Sequence, residues 1–284
     1  MVHKAAIFLV AVLPALGDFS YQETSRITGG MMSGVVNSAA GIPAQAREPV
    51  VNTVAVKGNR MLRTGAHRGS IIDLDKQTIT QINFDKKQYS VMTFEQMNER
   101  MAAVSPRNAA GALPSVEAST KETGRTKQIG GVTAREQVIT VEMGGSGQAS
   151  GVRMGMTMTS DVWVGPQVEG YDEMLDFRKR MSEKLKWTPD GMGARPGMVG
   201  AVAELTKASM GLNGTPRMQT MTIGNPMRPQ ASGQAAMAQG TLIEMTTEYG
   251  GFSSTAVDDA KFEVPAGFQQ VEPELGRRPG GTAH

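Results

Sequence analysis

The sequence predicts an α+β fold built on an antiparallel sheet, and three observations carry that prediction. Short apolar or alternating segments recur along the chain, joined by turns of Gly, Asn, Asp and Lys, which is the signature of hairpins. A few segments follow helical periodicity instead. The strands are joined as hairpins and not through strand–helix–strand crossovers, so the sheet is antiparallel.

The elements follow in order. Residues 19–27 alternate in the manner of a half-buried strand. A meander comes next: 51–56 turns at Lys57-Gly58-Asn59 into 60–64, and 71–74 turns at Asp75-Lys76-Gln77 into 78–84. The last of these turns at Asp85-Lys86-Lys87 into 88–92. Thr93 and Gln96 have capping-box spacing, with a hydroxyl at the cap and an amide three residues on, so a helix is expected from there to about Val104. Residues 29–47 and 105–116 read as irregular insertions. Strands resume at 117–128 and 132–143, and Gly144-Gly145-Ser146-Gly147 forms a hairpin tip before a strand at 152–164. The strongest helix spans 169–187, with Tyr171, Met174, Leu175, Arg178, Met181 and Leu185 on one side, acids early and bases late. A more apolar helix covers 198–212. Strands are expected at 217–223, 241–249 and 261–264, and residues 272–284 read as a disordered tail.

Composition narrows the function classes. Lys and Arg number 29 against 27 Asp and Glu, a net charge of +2, and the densest basic cluster, Arg178-Lys179-Arg180, lies between acids. A nucleic-acid surface is not indicated. With no cysteine, disulfides, zinc–thiolate sites, iron–sulfur clusters, cysteine nucleophiles and a lipid-modified cysteine are excluded. Residues 1–17 read as a signal peptide: His3 and Lys4 open it, Ala5 to Leu13 form the apolar stretch, Pro14 ends it, and Ala15-Leu16-Gly17 puts small residues before a cleavage point at Asp18. The run falls short of the roughly 20 apolar residues that span a bilayer, and no later run comes close. The expectation is a periplasmic or secreted protein with no integral membrane segment after cleavage, folded as a single domain over 18–271.

Several motifs align with a known pattern. Val56-Lys57-Gly58-Asn59-Arg60-Met61, Ile71-Ile72-Asp73-Leu74-Asp75 and Lys86-Lys87-Gln88-Tyr89 come in that order. They are followed by Asp161-Val162-Trp163-Val164 ahead of a Gly-Tyr and a helix, and by Phe262-Glu263-Val264-Pro265-Ala266-Gly267-Phe268. In these the chain resembles a family of bacterial envelope proteins of unknown function whose fold is similar to the outer-membrane lipoprotein carriers of the LolA/LolB type. The resemblance implies a strongly curved antiparallel sheet, a half-open barrel, with helices packed on its concave face. It also implies an apolar concavity of the kind that holds acyl chains in the carriers, and it supplies no catalytic residues. The methionine content and the Gly/Met stretch after the first strand depart from true carriers.

Among candidate sites, catalysis has little to work with. His67 is the only histidine between the leader and the C-terminal residue, it lies in a turn, and no Gly-x-Ser-x-Gly elbow supplies a nucleophile. Asp73 and Asp75 read as solvated turn acids, since calcium demands a denser oxygen cluster. Gly144-Gly145-Ser146-Gly147 is no phosphate cradle, because no Gly-Lys-Ser/Thr follows and the next element is a strand. No catalytic residue, metal site or cofactor is therefore expected.

Methionine, at 21 residues, stands roughly threefold above its usual share. Met154, Met156 and Met158 share one strand phase with Val162 and Val164, opposite Arg153, Thr157, Thr159 and Asp161, so they point inward. Three readings stay open: core filling, an adaptable lining for a hydrophobic ligand, and Cu(I) binding through thioethers. Trp163 is out of phase with this set. The expected function is non-enzymatic binding of a lipid, lipidated protein or other hydrophobic ligand between sheet and helices. A structural or interaction protein whose concavity is filled by its own helices is the alternative. Nothing in the sequence sets an oligomeric state.

Overall fold

The computed structural model describes residues 17–31, 48–104, 116–144, 156–185, 198–225 and 240–273. The first half is a meander of β1 (Asp18–Gly29), β2 (Val50–Lys57), β3 (Arg60–Gly65), β4 (Arg68–Asp73), β5 (Thr78–Asn83) and β6 (Gln88–Thr93). Helix α1 (Phe94–Val104) leads to β7 (Val116–Ile129), β8 (Val132–Met143) and β9 (Met156–Gly165). Then come α2 (Tyr171–Lys184), α3 (Val199–Met210), β10 (Thr215–Asn225), β11 (Gly240–Ser253) and a short β12 (Gln269–Gln270).

All the strands join one open sheet in the order β12-β6-β5-β4-β3-β2-β1-β11-β10-β9-β8-β7. Every pairing is antiparallel except β12 with β6. Two meanders are thus joined at a single seam, where β1 pairs with β11 from Ser20–Ser253 to Gly29–Glu244. The tight turns follow from their residues. Gly130 and Gly131 take φ of +57° and +80° between β7 and β8, which a two-residue hairpin of this hand requires.

Strand alternation sorts the sheet into two faces. On one face Val54, Val56, Met61, Ile72 and Ile79 pack with Phe94 and Met97 of α1 and with Tyr171, Met174, Phe177 and Met181 of α2. Further along the same sheet Ile139, Val141, Met158, Val162, Val164 and Ile223 pack under Ala201 and Leu205 of α3. The other face carries Ala55, Leu62, Ile71 and Ile82, covered by Val257 and Phe262 of the C-terminal segment. Strands β2 to β4 bury residues on both sides, so apolar neighbours such as Ala55-Val56, Met61-Leu62 and Ile71-Ile72 stand side by side in the sequence.

The capping box forms as its spacing predicts. The Gln96 amide N–H donates to Thr93 Oγ1 at 3.1 Å, and the Thr93 N–H donates to Gln96 Oε1 at 3.0 Å. Helix α2 starts two residues later than expected, because Gly170 at φ +82° interrupts the helical backbone. Its buried stripe is Tyr171, Met174, Phe177 and Met181; Leu175 packs half-buried against the same core, Arg178 is half-buried, and Phe177 joins the stripe although the stripe expected from the sequence omits it. Two cations pin this helix to hairpin turns: Arg180 donates to the Gly58 carbonyl at 3.0 Å and Lys184 to the Leu74 carbonyl at 2.9 Å.

Three expectations need correcting. The strand at 261–264 is instead a 3-10 turn, Asp259–Phe262, started by Asp258, whose side chain accepts from the Ala260 N–H at 3.0 Å. Lys57 and Arg60 both hold Asp259, and Arg60 stacks over Phe262 at 4.9 Å, so the segment is strapped to the outer face. Asp73 is buried and not solvated: its Oδ1 accepts from the N–H groups of Asp75 and Lys76 at 3.0 and 2.8 Å and so organises the turn. Residue 116 already belongs to β7, and the rest of the 105–116 insertion lies outside the described residues, as do 1–16, 32–47 and 274–284.

Candidate functional site

The two cores on the helix-bearing face do not merge. Between them a void of about 180 Å³ is bordered by side chains from β1, β2, β3, β9, β10, β11, α2 and α3. On the α3 side its lining is apolar: Met158, Val162, Val202, Leu205 and Leu212, with Met221 and Met245 nearby. Thr206 and Ser209 of α3 also border it, but their hydroxyls donate to the carbonyls of Val202 and Leu205 at 2.8 Å and are satisfied within the helix.

Strands β1, β3, β10 and β11 and helix α2 also bring polar groups to the lining, beside the apolar Met61, Pro216 and Phe252. Glu23 and Arg63, on β1 and β3, form an ion pair inside the face, and Asn52 Nδ2 donates to Glu23 Oε1 at 3.2 Å. Glu23 is only 8% exposed. Tyr249 Oη donates to Gln219 Oε1 at 2.7 Å, and Gln219 Nε2 donates to Ser160 Oγ at 2.8 Å, so a relay runs across β11, β10 and β9. Ser25 and Thr247 share a hydroxyl hydrogen bond at 2.9 Å. Arg178 of α2 completes this end. Burial pushes the Tyr171 and Tyr249 phenols up from their ordinary range, so both are neutral donors at neutral pH.

Just beyond the void, Arg217 sits at the β10 bulge that separates Pro216 from Met218 in the pairing with β9. Its guanidinium lies 4.7 Å over the ring of Phe252, which itself borders the void, and it donates to the Pro166 carbonyl at 3.3 Å. Its Nε is buried without a hydrogen-bond partner, and desolvation lowers its pKa.

Of the residues singled out in the sequence, Met158, Val162 and Val164 point to the helix-bearing face and are fully or almost fully buried. Met158 and Val162 border the void, whereas Val164 packs in the α3 core and Met156 is half-buried at that core's edge. Met154 lies outside the described residues. Trp163 turns to the opposite face, where Lys127 Nζ lies 5.7 Å from its ring centroid. His67 is exposed in the turn between β3 and β4, with Nδ1 2.9 and 3.1 Å from the two carboxylate oxygens of Asp85, and it does not border the void.

The polar groups of the site went unread in the sequence, although a signal existed. Phe19, Tyr21, Glu23 and Ser25 share one strand phase, as do Met61 and Arg63. A charge in the inward phase of each of two strands that lie near one another marks a buried pair.

No protein-family model matches the chain, and no curated protein sequence matches it. Among the described residues no helix is long and apolar enough to cross a membrane.

Proposed function

We propose that this chain is a non-enzymatic envelope protein that holds a lipid, a lipidated protein or another hydrophobic ligand between its sheet and its helices, in a half-open barrel of the lipoprotein-carrier kind. The observation that carries the reading is the void itself. Protein interiors are close-packed, and a gap at the junction of two apolar cores, lined on one side by Met158, Val162 and Leu205, is a departure from that rule. Six adjacent strands border it; at about 4.8 Å per strand a flat sheet would spread them over roughly 24 Å, so a sheet wrapped around the void fits better. Methionines at the lining, Met158, Met221 and Met245, give it side chains that repack around varied shapes.

At about 180 Å³ the void is smaller than the roughly 300–1,000 Å³ of small-molecule sites. Binding a whole acyl chain therefore requires α3, whose Val202 and Leu205 form one wall, to shift from β7 and β8. The same observation favours a second reading, in which α3 fills the concavity permanently and the protein is a structural or interaction component of the envelope.

Native mass spectrometry separates the two, applied to protein purified from the periplasm without detergent and followed by organic extraction. A reproducible added mass that extracts as lipid is the expected outcome. An apo mass unchanged after incubation with envelope lipids would leave the structural reading in place.

A further inference from the structure

The outer face of the sheet holds a further cavity, larger than the void under the helices. It measures about 390 Å³ against about 180 Å³, and it lies between β1, β2, β3 and β5 and the C-terminal strap. Its floor is apolar: Ala55, Leu62 and Ile82 border it and are each almost fully buried. Phe84 and Val257 form walls, and the hydroxyl residues Ser20, Thr53 and Thr64 complete the sheet side. Thr53 and Thr64 stand directly opposite one another on β2 and β3. From the strap come Lys261 and Glu263, both exposed at the rim.

Contacts outside the cavity fix its walls. The Phe84 ring lies over Gly69, where a Cβ would stand only 3.2 Å from its Cζ, and it meets Phe268 edge-on with centroids 6.1 Å apart. Val257 is held through its backbone: its N–H donates to Asp18 Oδ2 at 2.6 Å, and its carbonyl accepts from Lys57 Nζ at 2.8 Å. The strap is tied down ahead of Glu263, where Asp259 pairs with Lys57 and Arg60. It is tied again after Pro265, where the N–H groups of Gln269 and Val271 donate to the Lys87 and Tyr89 carbonyls at 2.9 and 2.8 Å. Collapse of the strap onto the sheet would restore close packing only by disturbing these anchors.

We propose that this cavity is a binding site distinct from the helix-side void, and that it takes a compact, neutral, largely apolar molecule. The inference does not depend on the ligand assigned to the helix-bearing face. The volume, about 390 Å³, falls within the roughly 300–1,000 Å³ of small-molecule sites, as does the pattern of an apolar lining with a few hydroxyls. The charge of the ligand follows from the same residues. One lysine and one glutamate, both in contact with water, leave no net charge to balance an ion. An ionised ligand would lose its hydration against Leu62 and Ile82 without gaining a partner. A neutral polar group is accommodated, since the Thr53 and Thr64 hydroxyls both donate and accept.

Fluorescence titration of the full chain with two matched dyes tests the idea. N-phenylnaphthylamine is neutral, and anilinonaphthalene sulfonate carries an anion on the same rings. The neutral dye should bind at least about tenfold tighter than the sulfonate, because the cavity offers the anion nothing in exchange for water. Thr64→Phe places a ring in the cavity from a half-buried position and should weaken the neutral dye by at least about tenfold. Methyl NMR of the unaltered protein locates the dye without any variant: the methyls of Leu62, Ile82 and Val257 should shift. Shifts confined to Val162 and Leu205, or full binding in a folded Thr64→Phe protein, would overturn the outer-face site and leave the helix-side reading standing. Equal or tighter binding of the sulfonate would overturn the neutral assignment. Binding of neither dye would overturn the outer-face site, while the lipid reading still answers to native mass spectrometry.

Discussion

Asp161 illustrates how much a single residue on this sheet depends on its neighbours. It lies on β9 opposite Thr220 and Val138, on the face away from the helices. Partial burial raises its pKa, Glu136 and Glu244 raise it further, and Arg125 pulls the other way. A carboxyl whose folded pKa is raised stabilises the fold only while both states are protonated, and that contribution is lost as pH rises through the folded pKa. At neutral pH the ionised group therefore works against folding. Replacing Asp161 by Asn should raise the melting temperature at pH 7, and the gain should vanish near pH 3, where the carboxyl is protonated folded or unfolded. Thermal melts of the two proteins at both pH values check this; a gain that persists at low pH would assign the effect to something other than charge.

At the scale of elements, the hairpins and caps were legible because each rests on local chemistry. The Lys57–Arg60 turn needs Gly58 at φ +54°, and the Thr93/Gln96 box needs only residues three apart. The helix and strand phases were legible too, since period alone put Met158 and Val162 on the helix-bearing face. The errors are non-local. Phe177 was left out of the stripe beside Leu175 because one helix turn offers several apolar positions, and only the sheet beneath decides which is covered most fully. It is completely buried against the first core. Phe177→Ala should cost about 3–5 kcal/mol by cavity creation, read from urea unfolding, whereas Leu175→Ala should cost clearly less. The segment at 261–264 was likewise misread, because Val264 looks like a strand residue until the outer face it covers is known. The polar groups of the void needed β1, β3 and β10 to be placed together, which no local pattern supplies.

The whole molecule is two meanders and their helices, held in one sheet by the β1–β11 ladder. Side-chain contacts reinforce that ladder: Arg26 pairs with Glu248, Ser25 bonds Thr247, and Tyr21 packs against Tyr249 and Phe252. With so continuous a seam the two cores should unfold together. With Trp187 replaced by Phe, Trp163 fluorescence reports on the second meander, and far-ultraviolet circular dichroism reports on the whole sheet. The two urea transitions should coincide; separate midpoints would show that the halves are independent units.

That same ladder sets a timetable. The strand that begins at Asp18 finds its second neighbour only in a strand that ends at Ser253, so one of its edges stays open while the intervening chain is made. At 5–20 residues per second of synthesis, this amounts to roughly 10–40 s. Through that interval an edge bearing Phe19, Tyr21 and Ile27 is a template for any other strand it meets. The cell must keep this newborn chain apart from its neighbours until its own last long strand arrives.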